Sequence, residues 1–253
     1  MKKEYWDASP PILKEYFGYV ETIKGRSAST VNGYFNDLRD FSRYMKRVRG
    51  LTQADKMVDI DITDIDLAFI KTITLTDVFE YMSYVKNQRS NNSSTRARKT
   101  VSLRMFFRYL TDYTHQLEVN PIQNLETPKI KKSLPKHLTL EQSIELLDSV
   151  DGPFAKRDYC MLTLLLNCGL RRAEVAGLNL RDIGQDRTLR VTGKGNKERV
   201  LYLNDACWNA IQEYLKVRPV DEVKDKQALF LSRLKQRITV DGVHYVVKQY
   251  LKR

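Results

Sequence analysis

A proline-punctuated segment near the middle of the chain, residues 121–137, separates two halves of different pattern. It holds three of the seven prolines with lysines between them, and shows neither a helical nor a strand period. Proline lacks a backbone N–H and restricts the residue before it, so this segment cannot continue a helix or a central strand. The full length of 253 residues also suffices for two domains. We therefore predict a domain over residues 1–120, a linker over 121–137 and a second domain over 138–253.

Apolar residues recur at helical spacing in four stretches of the first half. The predicted helices begin at Pro10 or Pro11, at Ser27 or Ser29, at Thr76 and after Asn92. Proline suits the first position of a helix, and serine, threonine and asparagine are preferred caps. The pattern predicts an all-helical first domain.

Residues 51–80 are acidic, and four aspartates lie close together there: Asp59, Asp61, Asp64 and Asp66. Aspartates at alternate positions are typical of a calcium loop. However, the segment lacks the glycine of the turn and a closing glutamate at the required offset. We interpret it as a solvated connector and predict no metal site in the chain.

The fourth predicted helix carries an unbroken excess of positive charge. No aspartate or glutamate occurs between Tyr81 and Thr111, whereas seven lysines and arginines do. A solvated basic face is the ordinary explanation for such a run, but the complete absence of acids favours phosphate contact. Hydroxyls at the start of the helix can also bind phosphate oxygens. The predicted nucleic-acid contacts of this helix are Thr95, Arg96, Arg98, Lys99 and Arg104.

The whole chain is also basic, with 43 lysines and arginines against 31 acids, a net charge of +12. This excess predicts a polyanionic partner, a nucleic acid before an anionic membrane. The longest apolar stretch, near Met161–Leu166, is far shorter than the ~20 residues of a spanning helix. Three cysteines without a Cys-x-x-Cys pair disfavour a disulfide framework and a zinc finger. No apolar signal segment follows the first methionine, so we expect a cytoplasmic protein.

The second half mixes helices with a β-hairpin. In chain order the predicted elements are a capped helix from Thr139, an apolar helix over 154–167 ended by Gly169, a short helix over 172–178, a hairpin over 188–203 turning at 193–196, a helix over 205–217, a short strand over 228–231 and a helix over 240–252. The predicted fold class is therefore mainly α, with a small β-hairpin or sheet.

Two short stretches of the second half carry chemistry, Gly169–Leu178 and Val191–Arg199. The first places Arg171 at the mouth of a helix, where a guanidinium can hold a phosphodiester through two hydrogen bonds. An alternative is a structural ion pair with Glu174, three residues later. The second places Lys194 at a hairpin tip between glycines, either as a group that reaches a leaving oxygen or as an ordinary exposed lysine. We expect Lys197 and Arg199 to contact backbone phosphate or solvent.

These residues closely resemble motifs of the tyrosine recombinase, or phage integrase, family, particularly its Xer-like members. The motifs are Gly-Leu-Arg-x-x-Glu at 169–174 and Gly-Lys-Gly-Asn-Lys-Glu-Arg at 193–199. Ser-x-x-Thr-x-x-x-Tyr at 27–34, followed by Asp37 and Leu38, is similar to the helical core-binding domain of that family. The resemblance covers essentially the whole chain.

The resemblance implies a C-shaped clamp around duplex DNA, with a core-binding domain and a mixed α/β catalytic domain. Such enzymes break and rejoin DNA through a 3′-phosphotyrosyl intermediate, without metal or cofactor, and work as tetramers on DNA. By motif match, Arg171 would be the first phosphate-binding arginine and Glu174 its supporting carboxylate. Lys194 would be the general acid that protonates the leaving 5′-oxygen.

The later motifs of the family, His-x-x-Arg and a nucleophilic tyrosine, have no match in the chain. His244 is followed by Tyr-Val-Val-Lys, and we interpret Tyr245 and Tyr250 as packing residues. We therefore expect a C-terminally truncated catalytic domain that does not cleave DNA and is monomeric away from it. One alternative is a non-catalytic DNA-binding integrase that acts as a competitor or regulator. Another is an unrelated basic module that binds RNA or a protein.

Overall fold

The computed structural model describes residues 1–130, 137–193 and 195–252. The chain divides into two compact units, Met1–Leu134 and Pro135–Arg253. Each unit has a hydrophobic core of its own. Helices predominate, and the named strands of the described residues form one two-stranded antiparallel sheet. The mainly α fold class with a small sheet is confirmed.

The first unit is helical throughout its regular elements. Its helices are α1 (Lys3–Asp7), α2 (Pro11–Gly18), α3 (Ala28–Val48), α4 (Leu67–Lys71), α5 (Leu75–Asn87) and α6 (Ser93–Arg108), with π-helical turns at Tyr19–Ile23 and Tyr109–Tyr113 and a 3₁₀ turn at Met57–Asp59. Ser27, Thr74 and Asn92 cap α3, α5 and α6, each by accepting a backbone N–H from the first turn. The caps explain where these helices begin.

The two faces of α6 have opposite character. Its apolar stripe is buried in the core of the first unit. Arg104 and Arg108 lie on the exposed side of the helix. Side chains four residues apart share a helix face, so this separation follows from the spacing. The prediction of a helix packed on one side and basic on the other is confirmed.

The interpretation of residues 51–80 as a solvated connector is wrong. Five isoleucines of this segment are buried: Ile60, Ile62, Ile65, Ile70 and Ile73. The aspartates between them serve the fold, since Asp64 pairs with Lys46 at 2.7 Å and Asp66 caps α4. Each of these aspartates is exposed and the isoleucine beside it is buried, so the carboxylates stay at the surface while the apolar side chains enter the core.

In the part of the second unit that the structure describes, three helices precede the sheet and two follow it. Its elements are α7 (Leu140–Asp148), α8 (Ala155–Cys168), α9 (Arg172–Gly177), β1 (Thr188–Thr192), β2 (Glu198–Tyr202), α10 (Asp205–Val217) and α11 (Val240–Tyr250), with a 3₁₀ turn at Leu180–Asp182. The predicted capping box is present, because Thr139 and Gln142 exchange hydrogen bonds at the start of α7. The predicted hairpin is present too, with Val191 opposite Arg199.

The predicted strand over 228–231 is wrong. Ala228 and Leu231 each form an isolated bridge, to Asn179 and Arg237 respectively. The amide of Leu229 also donates to the carbonyl of Leu178 at 2.9 Å. The apolar side chains of this segment are buried, but its backbone forms only isolated β-bridges. A short apolar run does not by itself specify a ladder.

The two tyrosines of α11 differ in environment. Tyr250 is buried and its hydroxyl donates to the carbonyl of Asp151 at 3.1 Å, as expected of a packing residue. Tyr245 is 69% exposed, so its interpretation as a packing residue is wrong. Residues five apart on a helix are separated by about 140°, which places the two side chains on different faces.

The core of the first unit extends beyond residue 120. Ile122 and Leu125 are buried in it, although both fall within the predicted linker. Residues 131–136 of that linker lie outside the described residues. None of the described helices combines the length and the apolar character that crossing a bilayer requires.

Candidate functional site

The carboxylate of Glu174, on α9, collects four donors from two arginines. Its Oε1 accepts from Arg171 Nη1 at 3.0 Å and from Arg199 Nη1 at 2.8 Å. Its Oε2 accepts from the backbone N–H of Arg171 at 2.8 Å and from Arg199 Nη2 at 2.9 Å. The Glu174 side chain is only 3% exposed. Buried carboxylates are stable when they are paired and hydrogen-bonded in this way.

The local sequence explains the position of Arg171. Gly169 ends α8 with a φ of +59°, a left-handed conformation that glycine adopts without a steric penalty. Two residues later Arg171 takes the N-cap position of α9, and Glu174 is the third residue of that helix. Among the described residues, the guanidinium of Arg171 is tethered by one hydrogen bond, and the side chain remains 74% exposed. Its other donors can therefore bind an anion.

The hairpin brings Arg199 to the same carboxylate. Arg199 lies on β2 opposite Val191, and the turn is closed by a bond from the Gly193 amide to the carbonyl of Lys197 at 2.7 Å. A Cβ added at Gly193 would lie 3.1 Å from Glu174 Oε1. Glycine at this position therefore permits the close approach of hairpin and carboxylate.

The two arginines keep Glu174 ionised. Hydrogen bonds from Arg199 above all, and then from Arg171, outweigh desolvation and lower the pKa of Glu174 to about 2. The same contact raises the pKa of Arg199. Two guanidinium groups and one carboxylate leave this cluster with a net charge of +1 at neutral pH. An exposed cation held by a buried anion is suited to bind phosphate.

The structure therefore brings together three of the predicted site residues, Arg171, Glu174 and Arg199. Lys197 is exposed near them on the hairpin. Lys194, the predicted general acid, lies outside the described residues. Arg199, which was expected to contact phosphate or solvent, is 37% exposed, and each of its Nη atoms donates one hydrogen bond to Glu174.

Sequence reasoning missed Arg237, which supports α9 from its C-terminal end. Its guanidinium donates to the carbonyl of Leu178 at 3.0 Å and to Asn179 Oδ1 at 2.7 Å, and pairs with Asp225 at 2.8 Å. A cation stabilises the exposed carbonyls at the end of a helix. The indication of this role in the sequence is weak, because Arg237 is one of several arginines that follow the apolar segment 228–231.

Lys99, predicted to contact nucleic acid, is buried in the first unit. Its side chain is 5% exposed, and its Nζ lies 2.9 Å from Asp40 and 3.4 Å from Asp37. Arg98 and Ser102 of α6 also donate to Asp37 of α3. The placement of Lys99 argues for a structural role, and we do not assign it a contact with DNA. A signal was present, since Asp37 shares a helix face with apolar residues and a buried carboxylate needs a cation.

The other predicted contacts of α6 lie nearer the surface. Arg98 is exposed although it pairs with Asp37, and Arg104 is exposed with no side-chain hydrogen bond or ion pair to any described residue. Arg96 is half-buried and donates to the carbonyl of Asn91 at 2.6 Å. Thr95 is half-buried in the first turn. They do not share one helix face, because Arg96 and Arg98 lie about 160° apart around α6 and Arg98 and Arg104 lie about 120° apart.

A metal site is not evident in the part of the chain that the structure describes. No three histidine, cysteine, aspartate or glutamate residues there are grouped so that they could hold an ion. Three of the four closely spaced aspartates instead pair with lysine, bond to threonine or cap a helix.

Comparisons with known proteins agree with the motifs. A model of the phage integrase family matches residues 136–253. A protein named tyrosine recombinase XerC from Caldanaerobacter subterraneus is 50% identical, over 96% of this chain and 69% of that protein. A tyrosine recombinase XerC from Psychromonas ingrahamii is 30% identical, over 93% of this chain and 73% of that protein.

Solved structures share the fold. A lambda integrase dimer bound to a COC′ core site aligns with a TM-score of 0.67 and 13% identity, over 95% of this chain and 79% of that one. A XerH recombinase in a post-cleavage complex with palindromic difH aligns with a TM-score of 0.65 and 20% identity, over 95% of this chain and 67% of that one. These structures show the fold alone, whereas the relatives that are 50% and 30% identical show that the chain belongs to the tyrosine recombinase family.

Proposed function

We propose that the chain functions in site-specific recombination of duplex DNA, and that Arg171 binds the phosphate at which the strand is broken. The observation that carries the proposal is the Arg171 guanidinium, exposed, held from behind by Glu174 and bearing unused donors. A phosphodiester presents two oxygens that match a guanidinium. The relatives named as tyrosine recombinases support this choice of substrate.

The chemistry follows from the charge that develops at phosphorus. In the reaction that the family motifs imply, attack of a tyrosine hydroxyl on phosphorus passes through a pentavalent phosphorane, whose extra negative charge Arg171 would stabilise. Breakage of the bond between phosphorus and the 5′-oxygen then leaves the 3′-phosphotyrosyl link. The departing 5′-oxygen is too basic to leave unaided, and Lys194 is assigned by its motif as the general acid. Glu174 would act by holding Arg171. The transfer conserves the energy of the phosphodiester bond, so it requires no nucleotide cofactor.

Side chains of each unit would supply further contacts with duplex DNA. We assign these to Arg98, Arg104, Arg96 and Thr95 of α6, and to Lys197 on the hairpin. Arginines on an exposed helix face contribute affinity that depends on salt, because each phosphate contact releases a counterion. Lys99 is left out of the set because it is buried.

A polypeptide of these 253 residues contains no His-x-x-Arg sequence. We propose that this polypeptide binds duplex DNA as a monomer and does not cleave it, since it offers one of the family's two phosphate-binding arginines. A nicked suicide substrate tests this statement. We expect no covalent adduct after denaturing electrophoresis, and an adduct would contradict it.

Fluorescence anisotropy with a labelled duplex tests the main proposal. We expect wild-type chain to bind with an affinity that falls as salt rises, and Arg171→Gln to weaken binding about tenfold. Arg187→Gln is a matched control, because Arg187 is an exposed arginine of the same unit that pairs with exposed Asp205. Equal losses in the two variants, or preference for single-stranded RNA, would contradict the proposal.

A further inference from the structure

Arg171 and Arg199 share one carboxylate unequally. Arg199 gives both Nη atoms to Glu174, at 2.8 and 2.9 Å, whereas the Arg171 side chain gives one, at 3.0 Å. Arg199 is also the less exposed guanidinium, at 37%. The negative charge of Glu174 is thus compensated mainly by Arg199.

This division matters because a cation with its own counter-ion attracts phosphate weakly. If Glu174 had Arg171 as its sole partner, the pair would be neutral and the Arg171 guanidinium would turn its donors to the carboxylate. With Arg199 present, the three groups together carry one positive charge, and the more exposed arginine carries it to the surface.

We propose that Arg199 is a positioning residue that neutralises buried Glu174, so that Arg171 keeps its positive charge and free N–H donors for the DNA phosphate. This inference rests on the proposed function, since it concerns the same phosphate-binding arginine. Arg199 itself need not contact DNA. The hairpin thereby contributes to the electrostatics of the site through β2 as well as through the residues of its turn.

Two other roles for Arg199 compete with this one, and charge-balanced variants separate all three. If Arg199 contacts phosphate directly, its removal weakens DNA binding equally with glutamate or with glutamine at position 174. A purely structural ion pair predicts that affinity falls only in variants that melting shows to be partly unfolded at the assay temperature, because removal of one partner leaves the other charge uncompensated. Charge balance predicts recovery: Arg199→Gln brings the cluster to zero, and Glu174→Gln added to it returns the cluster to +1.

The experiment measures affinity for a labelled duplex by anisotropy across a salt series. We expect Arg199→Gln to bind about five- to tenfold more weakly than wild type, with a salt slope smaller by roughly 1. We expect the double variant Glu174→Gln/Arg199→Gln to bind within about twofold of wild type. The amide oxygen that replaces the carboxylate at position 174 can still accept the Arg171 donor, because glutamine retains the shape of glutamate.

An exposed ion pair of the same unit provides the control. Arg187→Gln, and Arg187→Gln with Asp205→Asn, change total charge by the same amounts as the test variants. We expect these two controls to differ from one another by less than about twofold. Circular dichroism melting of each variant shows whether it is folded at the assay temperature.

Failure of the double variant to recover affinity overturns the inference, and so does wild-type affinity in Arg199→Gln. If Arg199→Gln is unfolded, the test consists of comparing the double variant with wild type. A direct contact between Arg199 and phosphate predicts that the double variant binds the duplex more weakly than wild type. Absence of binding by the folded wild-type chain would instead refute the proposed function, and the inference with it.

Discussion

At the scale of single residues, the site depends on one buried carboxylate. Glu174 accepts four hydrogen bonds, and each of its oxygens receives one from each arginine. Removal of this charge leaves two guanidinium groups close together with nothing between them. A buried anion that organises two cations is therefore as important to the site as the cation that faces the substrate.

The pKa of Glu174 predicts a pH dependence of stability. Its folded-state pKa of about 2 lies below the ordinary value of 4.5. The ion pairs therefore stabilise the fold fully above about pH 4.5, and this contribution is lost as the pH falls towards 2. We expect wild type to lose up to about 3 kcal/mol more than Glu174→Gln over this range.

Urea unfolding at a series of pH values measures this difference. Glutamine does not titrate, so the variant reports the acid sensitivity of all other groups. Parallel stability curves for wild type and Glu174→Gln would show that the arginines do not depress the pKa of Glu174.

An added methyl group is expected to have opposite effects on stability at Gly193 and at Gly33. Gly193→Ala places a Cβ 3.1 Å from Glu174 Oε1 and 3.6 Å from Arg199 Nη1, so we expect a loss of about 1 kcal/mol. Gly33 lies within α3, and a Cβ there meets nothing within 4 Å. We expect Gly33→Ala to stabilise the fold by about 0.5–1 kcal/mol. Thermal or urea unfolding measures both, and a stabilised Gly193→Ala would contradict the close approach.

At the scale of elements, charged side chains join α3 to α6 within an apolar core. Buried Asp37 on α3 accepts hydrogen bonds from Arg98 and Ser102 of α6. The Lys99 ammonium pairs with both Asp37 and Asp40. Ion pairs in a core contribute little net stability when intact, but leave an uncompensated charge when broken.

Asp37→Asn tests this network. The variant keeps the shape of the side chain but leaves buried Lys99 with Asp40 alone, so we expect a loss of about 2 kcal/mol. Asp112→Asn is the control, because Asp112 forms an exposed pair with Arg108. We expect that control to cost less than about 0.5 kcal/mol, and equal effects in urea unfolding would contradict a buried network.

At the scale of the whole molecule, two hydrophobic cores stabilise two units. The buried residues of each core come from one side of residues 131–136. Folding free energy in a domain derives mainly from such burial, so we expect each unit to fold on its own. The two tryptophans of the chain, Trp6 and Trp208, fall in different units and can report each one.

Tryptophan fluorescence tests the independence of the units. In Trp208→Phe, the remaining Trp6 reports the first unit, and in Trp6→Phe, Trp208 reports the second. We expect Asp37→Asn to lower the urea midpoint reported by Trp6 and to leave that reported by Trp208 unchanged. A common shift of both midpoints would show that the units unfold together.

Local sequence determined most of the elements. Caps and spacing predicted the starts of α3 and α7, the end of α8 at Gly169 and the hairpin, because each depends on backbone groups within a few residues. The motifs at 169–174 and 193–199 were likewise sufficient to indicate the family before any geometry was known.

Tertiary structure decided what the charged residues do. The residues around Arg199 do not show that it holds Glu174 from 25 positions away, and those around Lys99 do not identify its partners on α3. The isoleucines of residues 51–80 became core, and Tyr245 became surface, through contacts and exposures set by other elements. The physical reason is range: a hydrogen bond within one turn can be predicted from the residues of that turn, whereas burial and ion pairing depend on which distant surfaces the folded chain brings together.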